Sequence, residues 1–305
     1  MLQMNVDGFE VYEFPAPNES STKNALFFAH ANGIPAQTYK SLFEKMAQQL
    51  NCLIISYDMR GMGRSQIPDL ISENLNNTGA WEQLTKDHIQ LFLKIKSLKS
   101  EKLNWILAGH SLGAWLSLLA SKELHNYKLF LLEPPILAPK IILQWTIIAL
   151  LKKRHLSPRG QRVKRRKTQF PSLKIAFNEL KKSSLMKHWD DEVISDYIEG
   201  SFQEQTPGGQ ITLRHDPAWE ALMFEEYPIG AWWAFLKIPF QIRTKIQPLF
   251  FVGSKSDTCN PNAKFWVSCF FPKLKWIELP DGTHMFPLER QMETISLIKS
   301  NLLDS

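Results

Sequence analysis

The chain has 305 residues, 44% of them hydrophobic and 22% charged, with a net charge of +6. That balance excludes a disordered chain, and the length suits one large α/β domain or a core domain carrying an insertion. Three cysteines, Cys52, Cys259 and Cys269, are odd in number and widely spaced, which argues against a disulfide framework or a zinc site and for reduced, mostly buried thiols.

Along the chain, Phe9–Phe14 alternates like an early edge strand, and Met1–Glu10 shows no basic segment followed by an apolar run, so no signal peptide is expected. Four short apolar runs follow: Ala25–Ala29, Cys52–Tyr57, Asn104–Ala108 and Leu129–Leu132. Runs of this kind are what strands buried on both faces of a parallel sheet look like. Between them, Pro35–Leu50, Trp81–Ser97 and Leu112–Leu124 carry apolar residues at helical spacing. The alternation predicts a mostly parallel, doubly wound sheet.

The rhythm stops from about Ile136 to Arg243, where no strand is legible. This stretch holds five of the ten tryptophans, Trp145, Trp189, Trp219, Trp232 and Trp233, and nine Lys or Arg residues between Lys152 and Lys167. It reads as a helical insertion over the sheet's C-terminal edge, where open α/β sheets bind ligands. Its tryptophans suit an apolar pocket and a small core of its own equally well. Its most apolar segment, Ile141–Leu151, is 11 residues long, short of the roughly 20 that span a bilayer. A cytoplasmic protein is expected, with peripheral contact to an anionic membrane surface through residues 141–167 as an option. The basic run lacks an aromatic platform or binding motif, so no nucleic-acid partner is expected. The core then resumes with Leu249–Val252 as a strand, Pro261–Cys269 as a helix, Lys275–Leu279 as a strand and a last helix from about Pro287 to Leu302. The boundaries expected are 1–135 for the first part of the core, 136–245 for the insertion and 246–305 for the rest.

The chemistry-bearing signal is Gly109-His110-Ser111-Leu112-Gly113, a G-x-S-x-G pattern placed between an apolar strand and a helix. That context holds a serine on a sharp, strained turn with its Oγ projecting from the sheet edge. A serine hydroxyl needs a base, and the base needs an orienting acid. His284, in the loop after Lys275–Leu279, is the candidate base. Asp257, just past Leu249–Val252, is the favoured acid. Glu133, at the end of an earlier strand, is the alternative, set second because Pro134 and Pro135 follow it and suggest a role in chain exit. For the developing oxyanion, one donor is the Leu112 N–H. The second comes from His30-Ala31-Asn32-Gly33-Ile34-Pro35, where alignment on Gly-x-Pro favours Ile34 and alignment on the histidine favours Ala31 or Asn32. His30 itself reads as a structural hydrogen-bonding residue, and Asp58–Ser65 as a polar, glycine-bearing structural loop.

Taken together, the His-x-Asn-Gly-x-Pro loop at His30–Pro35, the Asp-x-Arg-Gly-x-Gly-x-Ser segment at Asp58–Ser65, the Gly-His-Ser-Leu-Gly elbow, the step from Gly253 to Asp257 and Gly-x-His at His284 resemble the α/β-hydrolase superfamily, in its esterase/lipase-like branch with a helical cap. The resemblance covers about two-thirds of the chain. It implies a cofactor-free, metal-free serine hydrolase working through an acyl-enzyme. A small-molecule or lipid ester with a hydrophobic acyl group is the substrate expected. Thioesterase, peptidase, perhydrolase and carbon–carbon hydrolase reactions, or a non-catalytic binding module, stand as alternatives.

Overall fold

The computed structural model describes residues 1–69, 79–137, 139–259 and 261–303, the side chains of 139, 227–233 and 303 excepted. The first stretch of core runs β1 (Leu2–Val6), β2 (Phe9–Phe14), β3 (Asn24–Ala29), α1 (Lys40–Leu50), β4 (Leu53–Tyr57), α2 (Ala80–Ser97), β5 (Asn104–His110), α3 (Leu112–Ala120) and β6 (Lys128–Leu132). Between β6 and the next core strand lie α4 (Pro139–Leu150), α5 (Pro158–Lys164), β7 (Gln169–Phe170), α6 (Leu173–Lys181), α7 (Asp191–Ser201), β8 (Phe202–Glu204), β9 (Ile211–Leu213), α8 (Pro217–Lys237) and α9 (Phe240–Arg243). The core closes with β10 (Pro248–Gly253), α10 (Lys264–Phe270), β11 (Lys275–Leu279), α11 (Phe286–Glu289) and α12 (Gln291–Leu303).

Eight strands form one sheet in the order β1-β2-β4-β3-β5-β6-β10-β11, antiparallel only at β1/β2 and β2/β4. The strands are near-continuous apolar because both faces are covered. In β5, Trp105 and Leu107 join one core while Ile106 and Ala108 join the other; in β3, Phe27 is divided from Leu26 and Phe28 in the same way. Period-two alternation thus sends successive side chains to opposite layers of a three-layer α/β/α arrangement. The crossovers bring the C-terminal ends of β3, β4, β5, β6, β10 and β11 to one edge, and the elbow, the histidine loop and both candidate acids gather there.

Three expectations are corrected. Phe9–Phe14 is a strand but not the edge: β1 pairs outside it, Leu2 opposite Glu13. The five residues of the mostly exposed β1 (Leu-Gln-Met-Asn-Val) alternate apolar and polar, the period-two signal by which sequence could have found it. The insertion is not strand-free, since β7, β9 and β8 form a small antiparallel sheet; at two or three residues each, they are too short to carry a pattern. Finally, Cys269 is exposed, although Cys52 and Cys259 are buried, and all three are free thiols.

Of the insertion's tryptophans, Trp189 and Trp219 are fully buried in packing roles, whereas Trp145 lines a cavity beside Ser111. The side chains of Trp232 and Trp233 lie outside those described. No helix of the described residues is long and apolar enough to cross a membrane.

Candidate active site

The elbow is built by close backbone approach. A Cβ on Gly109 would sit 2.3 Å from the Gly113 carbonyl carbon, and one on Gly113 would sit 2.0 Å from the Ala29 carbonyl oxygen. Only glycine fits either place. The strand-to-helix turn between them puts Ser111 at φ 53° and ψ −116°, a left-handed conformation that a non-glycine residue adopts only when its surroundings impose it. Here the surroundings do: the Ser111 N–H donates to Leu132 O at 2.9 Å and the Gly113 N–H to His30 O at 3.1 Å.

Ser111 Oγ lies 3.0 Å from His284 Nε2, and His284 Nδ1 lies 3.0 Å from Glu133 Oε2. A carboxylate only accepts, so Nδ1 carries the proton and Nε2 is free to accept the serine hydroxyl. Glu133 is completely buried. Besides His284, its carboxyl accepts from the Gly253 N–H and the Ser256 hydroxyl. This set of donors compensates a buried carboxylate.

The expectation for the acid is therefore corrected: Asp257 does not hydrogen-bond His284. Its side chain is 78% exposed and pairs with Arg159 at 3.1 Å, and Oδ1 takes the Thr258 hydroxyl at 2.9 Å. The cause lies in the turn after β10. The Ser256 N–H folds back on Gly253 O and the Lys255 N–H reaches Gly282 O, which aims Ser256 at Glu133 and turns Asp257 outward. The two prolines after Glu133 do not divert its side chain: the residue sits at φ 51°, and its own N–H is held by Phe251 O at 2.8 Å.

The donor question narrows too. The Ile34 N–H is spent on Ala31 O at 3.1 Å, and the Ala31 N–H points to the Tyr39 hydroxyl at 3.3 Å. Among the described residues no protein acceptor takes the N–H of Asn32 or of Leu112, and both residues line the cavity at Ser111. Of the three residues considered for the second donor, Asn32 alone keeps an N–H that no protein acceptor among the described residues takes. Its side chain is fixed by Nδ2 donating to Glu220 O at 2.9 Å.

Two groups that sequence reasoning missed tie the site together. Buried His110, the variable residue of the elbow, has Nε2 2.9 Å from the His284 carbonyl oxygen and Nδ1 2.7 Å from the Tyr39 hydroxyl. The carbonyl requires a proton on Nε2, so Nδ1 accepts from Tyr39. One chain of hydrogen bonds thus joins the Ala31 N–H, the Tyr39 hydroxyl, the His110 ring and the His284 loop. Burial, helped by His284, holds the His110 pKa well below the ordinary histidine range, so the ring stays neutral in this role. Nothing local marks Tyr39, which is 71 residues from His110.

The expected structural roles are present in the geometry. The His30 ring bridges Ala31 O at 2.7 Å and the Met59 N–H at 2.9 Å. Asp58 accepts from the Tyr12 hydroxyl and from the Ala36 and Arg64 N–H groups, pinning the two glycine-bearing loops together.

Ser111 and His284 open into a cavity of about 900 Å³. Its walls combine core residues (Ile34, Leu112, Met285) with residues of the insertion (Ile141, Trp145, Val163, Met223, Phe224). Glu220 in the wall is paired with the Arg166 guanidinium, and its carboxyl also meets His215 Nε2 at 2.9 Å. Arg162 also lines the cavity and makes no salt bridge among the described residues. No cluster of three metal-ligating side chains occurs among the described residues.

A family model described as serine aminopeptidase, S33, matches residues 20–194, more than half of the chain. Among solved structures, E-2-(acetamidomethylene)succinate hydrolase is similar at 18% identity and TM-score 0.68, covering 100% of this chain and 99% of that one. The peroxisomal α/β-hydrolase of Saccharomyces cerevisiae is similar at 17% identity and TM-score 0.70, covering 96% and 80%. The thioesterase domain from the curacin biosynthetic pathway is similar at 14% identity and TM-score 0.69, covering 98% of each chain. No curated protein sequence matches. At these identities the solved structures speak for the fold alone, and the family rests on the sequence match and on the elbow it includes: this chain belongs to the serine aminopeptidase S33 family of α/β-hydrolases.

Proposed function

We propose that this hydrolase cleaves a carboxylic ester with a hydrophobic acyl group through an acyl-enzyme on Ser111. The observation that carries the reading is the unbroken line from Ser111 Oγ through the His284 ring to Glu133 Oε2, with 3.0 Å at each of its two hydrogen-bonded steps. In the first half-reaction Ser111 Oγ attacks the ester carbonyl carbon and its proton passes to His284 Nε2. Glu133 holds the ring in place and stabilises the imidazolium. The Asn32 and Leu112 N–H groups receive the negative charge on the carbonyl oxygen. His284 then returns the proton to the departing alkoxide, leaving the acyl group on Ser111. A water, deprotonated by His284, attacks the acyl carbon; the bond from that carbon to Ser111 Oγ breaks as His284 returns the proton to Oγ, and the acid is released. The insertion acts as a cap whose apolar wall receives the acyl chain.

An ester fits this cavity better than the amino end of a peptide. An aminopeptidase must hold an ammonium group, yet the acidic groups in the wall are engaged: Glu220 by Arg166 and His215, Asp257 by Arg159, Glu289 by the Thr283 hydroxyl. The charge left over is that of Arg162. The test is fluorophosphonate labelling with the labelled site mapped by mass spectrometry, run beside p-nitrophenyl esters of increasing acyl length. Labelling at Ser111 and a chain-length optimum are expected. Absence of labelling would favour a binding module on the same fold, and cleavage of amino-terminal peptide substrates in preference to esters would overturn the substrate class.

A further inference from the structure

Helix α4 turns a hydrophobic face to solvent. Leu143, Ile147 and Leu150 of the helix are 63%, 51% and 78% exposed, and Leu151, in the turn just past its end, is 62% exposed. They fall at i, i+4, i+7 and i+8 and so share one face. The opposite face does the packing: Ile142 and Ala149 are buried, and α4 rests on α8. A surface helix normally has the reverse arrangement, and a contiguous apolar patch of this kind marks an interaction site.

The surroundings of that face are basic. No Asp or Glu occurs between Glu133 and Glu179, a stretch that carries eleven Lys or Arg residues. Lys152, Lys153 and Arg154, directly after the helix, are exposed and make no salt bridge among the described residues. Leu156 adds a further exposed aliphatic side chain beside them. On its other side, the same helix supplies Ile141 and Trp145 to the catalytic cavity.

We infer that the outer face of α4 and the basic turn behind it dock on an anionic lipid surface. Aliphatic side chains enter the boundary between headgroups and acyl chains while the cations remain among the phosphates. A second copy of this chain fits less well, because two such faces meeting about a twofold axis would bring like charges together. Docking in this way sets one wall of the cavity against the bilayer, from which an apolar ester can reach Ser111.

The test is co-sedimentation with phosphatidylcholine vesicles, with and without phosphatidylglycerol, at low and high salt. The intact chain and Ser111→Ala are run together, so retention is read apart from catalysis. Both are expected on the anionic vesicles at low salt. The triple change Lys152→Gln, Lys153→Gln, Arg154→Gln is expected to weaken retention on the order of a hundredfold. The triple change Leu143→Ser, Ile147→Ser, Leu150→Ser should abolish it without lowering the melting temperature, because none of these side chains is buried. The inference is overturned if anionic vesicles do not retain the chain, or if the lysine–arginine variant is retained as well as the parent. A concentration-dependent dimer that dissolves in the leucine–isoleucine variant overturns it as well.

Discussion

Replacing Glu133 by glutamine keeps the shape of a fully buried side chain while removing its charge and half of its accepting capacity. Three donors converge on this carboxyl: the Gly253 N–H, the Ser256 hydroxyl and His284 Nδ1. Whichever way the amide is turned, its NH2 group meets a donor. If it faces His284, the imidazole is driven to the tautomer with its proton on Nε2, which cannot accept the Ser111 proton 3.0 Å away. Loss of the orienting acid in a serine triad costs about 10⁴ in kcat, equivalent to about 5.5 kcal/mol of transition-state stabilisation. The expected result for Glu133→Gln is a fall in kcat/KM of about 10³ to 10⁴ on a p-nitrophenyl ester. Asp257→Asn breaks an exposed pair with Arg159, an interaction worth about 0–1 kcal/mol, and should change kcat/KM by no more than about threefold. Circular-dichroism melting of both variants separates loss of chemistry from loss of fold. If Asp257→Asn abolishes turnover while Glu133→Gln retains it, the assignment of the acid is wrong.

Two further outcomes follow from the buried polar groups. Tyr39→Phe leaves the Ala31 N–H and His110 Nδ1 without their partner and should cost about 1–3 kcal/mol of stability, with a lower kcat because the oxyanion loop and the His284 loop lose their tie. An unchanged melting temperature would show that the link carries no weight. Stability should also fall as pH is lowered from 6.5 towards 4. Burial lowers the pKa of His30 to about 4, that of His88 to about 3 and that of His110 well below its ordinary value. In this window these histidines are protonated in the unfolded chain and neutral in the folded one. Asp58 and Asp196, both raised by burial to about 6, act in the opposite sense. Glu226, also raised by burial, acts with them, so the unfolded chain binds at most about one proton more, and no more than about 1.4 kcal/mol is lost per pH unit. Urea unfolding at pH 7, 6 and 5 measures this, and a stability that holds level or rises on acidification would refute it.

Ser111 and His284 were legible because their signals are local. An apolar strand, a glycine-flanked serine and a following helix occupy adjacent positions, and the histidine loop is bounded by a strand and a turn. The doubly wound core was legible for a related reason: strands buried on both faces have to be continuously apolar, and that property survives in one dimension. The basic run and the apolar stretch of α4 could be read from composition, but whether the aliphatic side chains pack inward or face water depends on where α8 lies. The first strand does carry period two, with Leu2, Met4 and Val6 apolar and Gln3 and Asn5 polar, whereas the two- and three-residue strands of the insertion are too short to carry any.

The choice of acid is the clearest division. Two carboxyls follow two adjacent strands, β6 and β10, and either could stand at the sheet edge. Which one meets His284 is settled by a turn that sends Asp257 to Arg159 and Ser256 to Glu133, through hydrogen bonds from the end of β10 to the residue after β6 that span more than a hundred residues. The same holds for the second oxyanion donor, where a turn consumes the Ile34 N–H, and for Tyr39 and His110. Sequence by itself marked Ser111, His284 and the layered sheet, because each is written in neighbouring residues. Only the tertiary structure shows which carboxyl meets His284, which N–H groups of the His30–Pro35 loop are already engaged and which face of α4 is exposed, because those depend on which distant backbone groups are paired.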